Sequence, residues 1–575
     1  VGPNCLGVLN THTKCNASFA KNMPPTGNVS IITQSGALGT AILDWSEATD
    51  VGFDSFVSLG NKADLNEIDF MEAWMNDDNT KVILAYLEGI TDGPRFMKVA
   101  REVSKVKPIV VIKSGRTGAG ARAVSSHTGS LAGSDAAYDS AFQQSGVLRA
   151  NTMGEFFDMA GGFSIQNVPK GNRVVIVTNA GGPGIMATDA CERFGLRLAS
   201  LTKETIDKLK TTLPPAANFY NPVDVLGDAS AHLYKYALET VIEDEGVDGI
   251  LVLATPQAMT DPVAIAEVIN QVKPTTDKPI FPCFMGGVIM NQGIEVLKRH
   301  KIYNYDDPAR AAYTMLMMTE YAKIRDRAYA EPKQFEVNKD EVRKIFDKAR
   351  SVGITVLGLE ALPVLEAYGI PTLKYKVVSG ADNALQAARE IGYPVVMKIV
   401  SPDIIHKSDV GGVKVGIESD EQLENAYNKM MKDVTLAAPR CRISGVLIQQ
   451  MATGGKEVIL GMNKDPQFGP LIMFGLGGIY VEVLKDVQFR VAPLNEKDAY
   501  GLIYGIKTSQ MLQGTRGEKA SDIEKLVEFL ERLSQLVTDF PEILELDINP
   551  VKVYEKGMGC LALDVRMSIT AEPRK

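Results

Sequence analysis

The sequence predicts a multidomain α/β protein, and three observations carry that reading. The chain has 575 residues, several times the usual domain size, so three or four domains are expected. In two successive blocks, short Val/Ile-rich runs alternate with amphipathic stretches, the pattern of parallel α/β sheets. A third block, running to the C-terminus, mixes strands, glycine loops and isolated charges, which suits an α+β arrangement.

The first block runs from "NVSIITQSGALGTAILDWSEA" through "KVILAYLEGI" to "PIVVIKSG". Each apolar run ends at a polar or glycine turn, and a helical period follows. The second block opens at "NRVVIVTNAGGPGIMATDACERFG" and continues through "GILVLATPQAMTDPVAIAEVI" and "KPIFPCFMGG". The likeness of "VSIITQSGALG" to "VVIVTNAGGPG" predicts two domains of one design. The charged stretch "RDRAYAEPKQFEVNKDEVRKIFDKAR" reads as a linker plus a helix. The opening "VGPNCLGVLN" reads as the end of a strand and its loop, so a chain that begins inside a domain is expected.

Composition narrows the partners. The formal charge of −9 leaves no basic footprint for nucleic acid, and no apolar run reaches the length of a membrane span. Six cysteines are scattered with no C-x-x-C pair, as in reduced thiols of a cytosolic compartment rather than a disulfide framework or zinc site. A soluble cytoplasmic protein is expected.

Several motifs carry chemistry. In "TQSGALGT" a strand ends at Ser35 and Gly36 and a helix follows, so free N–H groups and the helix dipole attract phosphate; an ordinary N-capped helix has the same signature. "TNAGGPG" suggests a dinucleotide turn, but the next strand ends in Ser200 where an acid is needed, which argues against NAD. "SSHTGSLAGSD" sets His127 among Ser125, Ser126, Thr128 and Gly129, with no apolar neighbours in sequence. That imidazole is either an idle surface residue or a nucleophile that must be reached. In the third block Lys398 ends "VVMK", and a loop with His406, Asp409, Gly411 and Gly412 follows, a pairing that suits a polyphosphate. "DINP" and "LALD" place Asp547, Asn549 and Asp564 on two neighbouring strands, an oxygen set that suits Mg2+.

These residues resemble a known superfamily. "YPVVMK", "HKSDVGGV", "QQMATGGKEVILG" and "ELDINP" look like an ATP-grasp domain. "GPNCLG", "TQSGALG", "YLEGI" and "SSHTGSLAG" look like the CoA-ligase half of the NDP-forming acyl-CoA synthetases, which include succinyl-CoA synthetase. The motif order is that of the fused ADP-forming acetyl-CoA synthetases. The resemblance implies two flavodoxin-like CoA-ligase domains, 23–166 and 167–328, a linker at 329–356 and an ATP-grasp domain at 357–575. Residues 1–22 then read as the remnant of a CoA-binding Rossmann domain.

What the resemblance implies for function is a phosphoryl relay. His127 matches a histidine that attacks an acyl phosphate, and Glu88 in "YLEGI" matches the glutamate that orients it. For Glu88 a strand-end salt bridge is the plainer alternative. His406 matches a second relay histidine of the ADP-forming branch, with Asp547 its orienting carboxylate. Asn549 and Asp564 match magnesium ligands; Lys398, Gly411, Gly412, Gln449 and Glu457 match nucleotide contacts. The helix starts at Ser35–Gly36 and Thr255–Pro256–Gln257 match paired phosphate-binding helices, with Asn179 at the substrate pocket. The expected reaction joins a short monocarboxylic or hydroxy acid, CoA and ATP, with ADP, phosphate and Mg2+, in a homo-oligomer, most simply a dimer. A regulatory acyl-CoA or nucleotide sensor is the alternative from another class, but its relatives carry an added acetyltransferase domain and often lose the histidine. An ATP-grasp carboxylate–amine ligase needs neither CoA-ligase domains nor phosphohistidine.

Overall fold

The computed structural model describes residues 1–117, 119, 134–401, 403–404, 408–477, 486–514 and 517–572. His127 and His406 lie outside the described residues. The chain forms two compact units. Unit 1 comprises Val1–Tyr329 with Pro466–Phe468, and unit 2 comprises Ala330–Asp465 with Gly469–Lys575.

Unit 1 holds two sheets. The first contains β1 (Gly7–Asn10), β2 (Cys15–Ser18), β3 (Thr26–Thr33), β4 (Phe53–Ser58), β5 (Val82–Leu87), β6 (Ile109–Lys113) and β7 (Leu148–Arg149), in the order β2-β1-β4-β3-β5-β6-β7. From β4 to β7 every pairing is parallel. The central runs "VSIIT" and "VILA" are buried along their length, as strands covered on both faces require. Helices α1 (Gly36–Thr49), α2 (Glu67–Met75) and α3 (Met153–Ile165) belong to this half.

The second sheet has β8 (Arg173–Thr178), β9 (Arg197–Leu198), β10 (Val223–Asp224), β11 (Gly249–Ala254) and β12 (Ile280–Phe284), ordered β10-β8-β11-β12 with β9 also on β8. All of its pairings are parallel. Helices α4 (Gly181–Phe194), α5 (Pro262–Val272) and α6 (Pro308–Arg325) accompany it. Helix α3 lies on the first sheet and α6 on the second, and the two pack on each other within one shared apolar core. A bidentate ion pair pins them: Arg310 donates to Asp158 at 2.6 and 2.7 Å, and Tyr303 adds a hydroxyl at 3.1 Å. Asp158 is 2% exposed, so removing Arg310 alone would strand a buried charge.

Both sheets reverse strand order at one point. The chain leaves β3 for β4 on one side, then returns to β5 on the other; likewise β8 leads to β9 and β10 on one side and β11 on the other. The connections after β3 and β5, and after β8 and β11, diverge there, which opens a crevice at the strand ends.

The opening residues differ from their reading as a strand end and loop. They form the β1–β2 hairpin, and β1 pairs antiparallel with β4, so residues 7–18 extend the first sheet. Asn10 donates to the wholly buried Asp54 at 3.2 Å, tying the hairpin down through a polar contact that apolar periodicity does not reveal.

Unit 2 is α+β. Helix α7 (Lys339–Ser351) buries Val342, Phe346 and Ala349 in its main core, so much of the stretch read as a linker belongs to this unit. A four-stranded sheet is built from β14 (Tyr375–Val378), β15 (Val395–Val400), β16 (Val413–Ile417) and β17 (Gly445–Gln450), ordered β14-β17-β15-β16. Helices α8 (Ala381–Ile391) and α9 (Asp420–Ala437) share its core. A larger sheet joins β13 (Val356–Leu357), β18 (Lys456–Asp465), β19 (Gly469–Leu476), β20 (Val487–Val491), β21 (Ile543–Val553), β22 (Cys560–Ala562) and β23 (Val565–Ile569). Its order is β13-β23-β21-β18-β19-β20, with β22 on β21. Helix α10 (Ile523–Asp539) supplies much of the apolar face that this sheet buries.

Candidate functional site

In unit 1 the crevice of the first sheet is a cavity of 760 Å3 lined by Leu6, Phe19, Ser35, Gly36, Lys62 and Glu88 among others. Thr33 ends β3 and brackets the turn: its hydroxyl donates to the Ser35 carbonyl at 2.9 Å and accepts the Ser35 N–H at 3.1 Å. Ser35 then caps α1, its hydroxyl accepting the Leu38 N–H at 3.3 Å. The helix N-terminus therefore opens on the same cavity as Glu88.

Glu88 follows β5 directly. Its N–H and that of Gly89 donate to the Gln34 side-chain oxygen at 2.5 and 3.1 Å. The Glu88 carboxylate is half-buried and makes no ion pair among the described residues. On the neighbouring strand Lys113, paired with Leu87, is 3% exposed and lies over the Tyr138 ring at 4.4 Å. Burial pushes the Lys113 ammonium down to about 8, against the attraction of Asp135 and Glu88.

The second crevice brings together Asn179, Thr255 and Gln257, but closes on itself. The Asn179 side-chain oxygen accepts the Thr255 N–H at 3.0 Å and its hydroxyl at 3.1 Å, while its amide donates to the Thr255 carbonyl at 3.0 Å. Gln257 donates to the Thr255 hydroxyl at 3.2 Å. Asn179 is 3% exposed, so its side chain braces the loop instead of facing a pocket. The helix expected at Thr255–Gln257 starts later, at Pro262, because Asp261 supplies the cap and Pro262 the first helical residue. Thr255–Gln257 is the loop before it.

In unit 2, Lys398 lies within β15 rather than at its end. Its ammonium meets Asp564, between β22 and β23, at 3.2 Å, and Gln449 of β17 donates to the Leu563 carbonyl at 3.1 Å. The Asn549 N–H donates to the Asp564 carbonyl at 3.2 Å, so Lys398, Gln449, Asn549 and Asp564 gather at one place. Gly411, at φ 72°, and Gly412 form the turn into β16, fastened to β15 by the Ile399 N–H on Gly412 at 2.7 Å. Glu457 is paired with Lys552 at 2.9 Å. Asp547 shares a face of β21 with Glu545 and lines a smaller cavity of 250 Å3 with Arg566. Burial, with Glu545 and Asp564 nearby, pushes its carboxyl above the usual range.

Three family models match in series: a succinyl-CoA ligase-like flavodoxin domain over residues 26–163, a ligase-CoA domain over 174–327 and an ATP-grasp domain over 348–569. The chain is 47% identical to ADP-forming acetate–CoA ligase I of Archaeoglobus fulgidus, over all of this chain and 82% of that protein. The chain belongs to the ADP-forming acid–CoA ligase family. A second member, the ADP-forming 4-hydroxybutyrate–CoA ligase of Nitrosopumilus maritimus, is 43% identical over 99% of this chain and 82% of its own length. Among solved structures, the acetyl-CoA synthetase 1 of Ca. Korarchaeum cryptofilum in complex with phosphate and ADP is 38% identical. It aligns with a TM-score of 0.55 over 57% of this chain and 71% of that chain. No helix among the described residues of this family member is long and apolar enough to cross a membrane.

Reading motifs alone passes over Gln34, Lys62 and Lys113, which surround Glu88 in the structure. The signal available in sequence was the pairing of "TQSG" with "TNAG", which marks Gln34 and Asn179 as equivalent positions.

Proposed function

We propose that this chain is an acid–thiol ligase that interconverts acyl-CoA, ADP and phosphate with a short monocarboxylic or hydroxy acid, CoA and ATP. The observation that carries the reading is the meeting of Glu88 with the Ser35–Gly36 helix start in one cavity. A helix N-terminus stabilises a phosphoryl group through its free N–H groups and dipole, and a carboxylate beside it steadies an imidazole. Relatives named for acetate and 4-hydroxybutyrate support a short acid.

In this reading the His127 imidazole attacks the phosphorus of an acyl phosphate. An N–P bond forms, the bond from phosphorus to the acyl oxygen breaks, and the carboxylate leaves with the electron pair. Glu88 accepts the other ring N–H, which fixes the tautomer and offsets the charge that develops. The phosphoryl group passes to His406, oriented by Asp547, and then to the terminal phosphate oxygen of ADP. Lys398 and the Gly411–Gly412 turn bind the nucleotide phosphates, and Gln449 and Glu457 bind the rest of the nucleotide. Thr255 and Gln257 make the second phosphate contact, with Asn179 holding their loop.

Asn549 and the half-exposed Asp564 fit Mg2+, which takes few protein oxygens and shares the phosphates of its nucleotide. When bound it neutralises charge on the transferring phosphate. A homodimer in the cytoplasm completes the proposal.

The test is a split of the reaction. Protein incubated with acetyl phosphate is expected to form an acid-labile, base-stable phosphoprotein, and His127→Ala to abolish it. His406→Ala is expected to keep that charging but to lose transfer to ADP. ATP formation from acetyl phosphate by His406→Ala at near wild-type rate would overturn the two-histidine relay.

A further inference from the structure

Lys62 lines the crevice of the first sheet, yet the relay gives it no task. Its ammonium is committed: it meets Glu67 at 3.0 Å and donates to the Gly89 carbonyl at 2.7 Å. The two side chains are 9% and 0% exposed, too enclosed for the lysine to serve as an open phosphate contact. The second Glu67 oxygen is buried with no hydrogen-bond partner among the described residues, so Lys62 is the charge that balances it.

The backbone is shaped to deliver this lysine. Lys62 sits at φ 54°, a left-handed conformation that a non-glycine residue seldom adopts. At neighbouring Gly60 a Cβ would come within 2.2 Å of the Pro3 carbonyl, so only glycine fits. Hydrogen bonds from Asn61 to Pro3 and from Ala63 to Gly2, at 2.9 and 3.0 Å, hold the turn on both sides.

What the turn grips is the loop that carries Glu88. Gln34 takes the N–H groups of Glu88 and Gly89, Lys62 takes the Gly89 carbonyl, and the Tyr138 hydroxyl takes the Ile90 N–H at 3.1 Å. With those main-chain groups held by three side chains from separate segments, the Glu88 carboxylate keeps only its own rotamers. A carboxylate that must meet an imidazole in a narrow geometry gains rate from that restriction.

We propose that Lys62, held by the buried Glu67 carboxylate, is a positioning residue that fixes the Glu88 loop for phosphoryl transfer. This rests on the relay reading above. The test compares Lys62→Met/Glu67→Leu with wild type, because replacing both members of a buried pair by apolar groups tends to keep the fold. Thermal melting is expected near the wild-type value. The rate of phosphoprotein formation from acetyl phosphate is expected to fall by roughly 10- to 100-fold, with the apparent KM for acetyl phosphate changed by less than about 3-fold. Adding Glu88→Gln to the pair is expected to slow the step no further than Glu88→Gln alone, since both act through one carboxylate. A folded double variant at wild-type rate, or losses that multiply in the triple variant, overturns the positioning role while leaving the relay intact. Glu88→Gln at wild-type rate instead sinks the relay reading, and this proposal with it. Should the apolar pair melt early, Lys62→Gln/Glu67→Gln carries the same test, since it removes both charges together while keeping shape and a neutral hydrogen-bonding pair.

Discussion

The two halves of unit 1 repeat one turn and fill it differently. β3 ends in Thr33 and continues into Gln34 and Ser35; β8 ends in Thr178 and continues into Asn179 and Ala180. Each threonine hydroxyl donates to the carbonyl two residues on, at 2.9 Å in both halves, and accepts the N–H of that residue at 3.1 Å. A helix of 14 residues follows each turn. In both, the side-chain amide at the middle position grips the loop after the adjacent parallel strand, Glu88 in one half and Thr255 in the other. The next strand over ends in Lys113 in the first half and Phe284 in the second, at matching register. The first half thus places an acid and a cation where the second places a hydroxyl and an aromatic ring. One backbone serves both, and side chains decide which crevice holds charge.

Exchanging the distinguishing residues tests this contrast most severely at the loop. Glu88→Gln is expected to slow phosphoprotein formation from acetyl phosphate by about 10²- to 10⁴-fold, as when the carboxylate that fixes a reacting imidazole's tautomer and offsets its charge is lost. Thr255→Val, its counterpart, is expected to change the same rate by less than roughly 10-fold, because it removes a neutral contact. Equal losses would mean that the two crevices contribute alike to this step.

The next effect lies in the pH dependence of stability. Burial lowers Lys113 from 10.5 to about 8 in the folded protein, so between those values the unfolded chain binds the extra proton. Stability therefore rises with pH across that window, and the cost of burying the ammonium is fully present below it. Lys113→Met removes the cost, on the order of 2–3 kcal/mol. Denaturation at pH 7 and pH 10 is expected to show the variant ahead at the lower pH and the gap closing at the higher. An unchanged gap would separate Lys113 from the lowered value.

The smallest effect concerns the caps. Ser35 caps its helix and Ala180 makes no side-chain cap bond. Ser35→Ala is expected to cost about 1 kcal/mol, and Ala180→Ser to gain a few tenths to about 1 kcal/mol, read by denaturant midpoint at constant slope.

Much of this arrangement was legible in residues that act locally. The runs of β3, β5, β8 and β11 read as parallel strands because burial on both faces leaves them almost wholly apolar, with Ser30 the one polar residue inside "VSIIT". Ser35 and Gly36 were legible as a strand end before a helix and Glu88 through its motif alone; the structure places all three at one cavity beside the switch point. Pairing over distance was not legible. Lys62 reaches Gly89, 27 residues away, and Lys398 reaches Asp564, 166 residues away, and no periodicity records either. The β1–β2 hairpin escaped because its strands are four residues each and mostly exposed or half-exposed, so neither shows an apolar face. Thr255–Pro256 mimicked a cap followed by a helical proline, a signal that Asp261–Pro262 repeats at the true start. His127 and His406, the residues on which the relay depends, stand on the motif and on the family alone.

The hydroxyl bracket also bears on the order in which the chain assembles. It joins residues two apart, so it forms with almost no loop to close. The Gln34 grip on Glu88 spans 54 residues and the Asn179 grip on Thr255 spans 76, and each must wait until its strands have met. Closure entropy separates these two by only about 0.3 kcal/mol, since it grows as the logarithm of length. Each half is therefore expected to set its strand-to-helix corner early and its crevice late, in near step with the other. Folding kinetics of Thr33→Val and Gln34→Ala read that order: a transition state that retains the first contact and lacks the second assigns the chemistry to the last part of the fold to close.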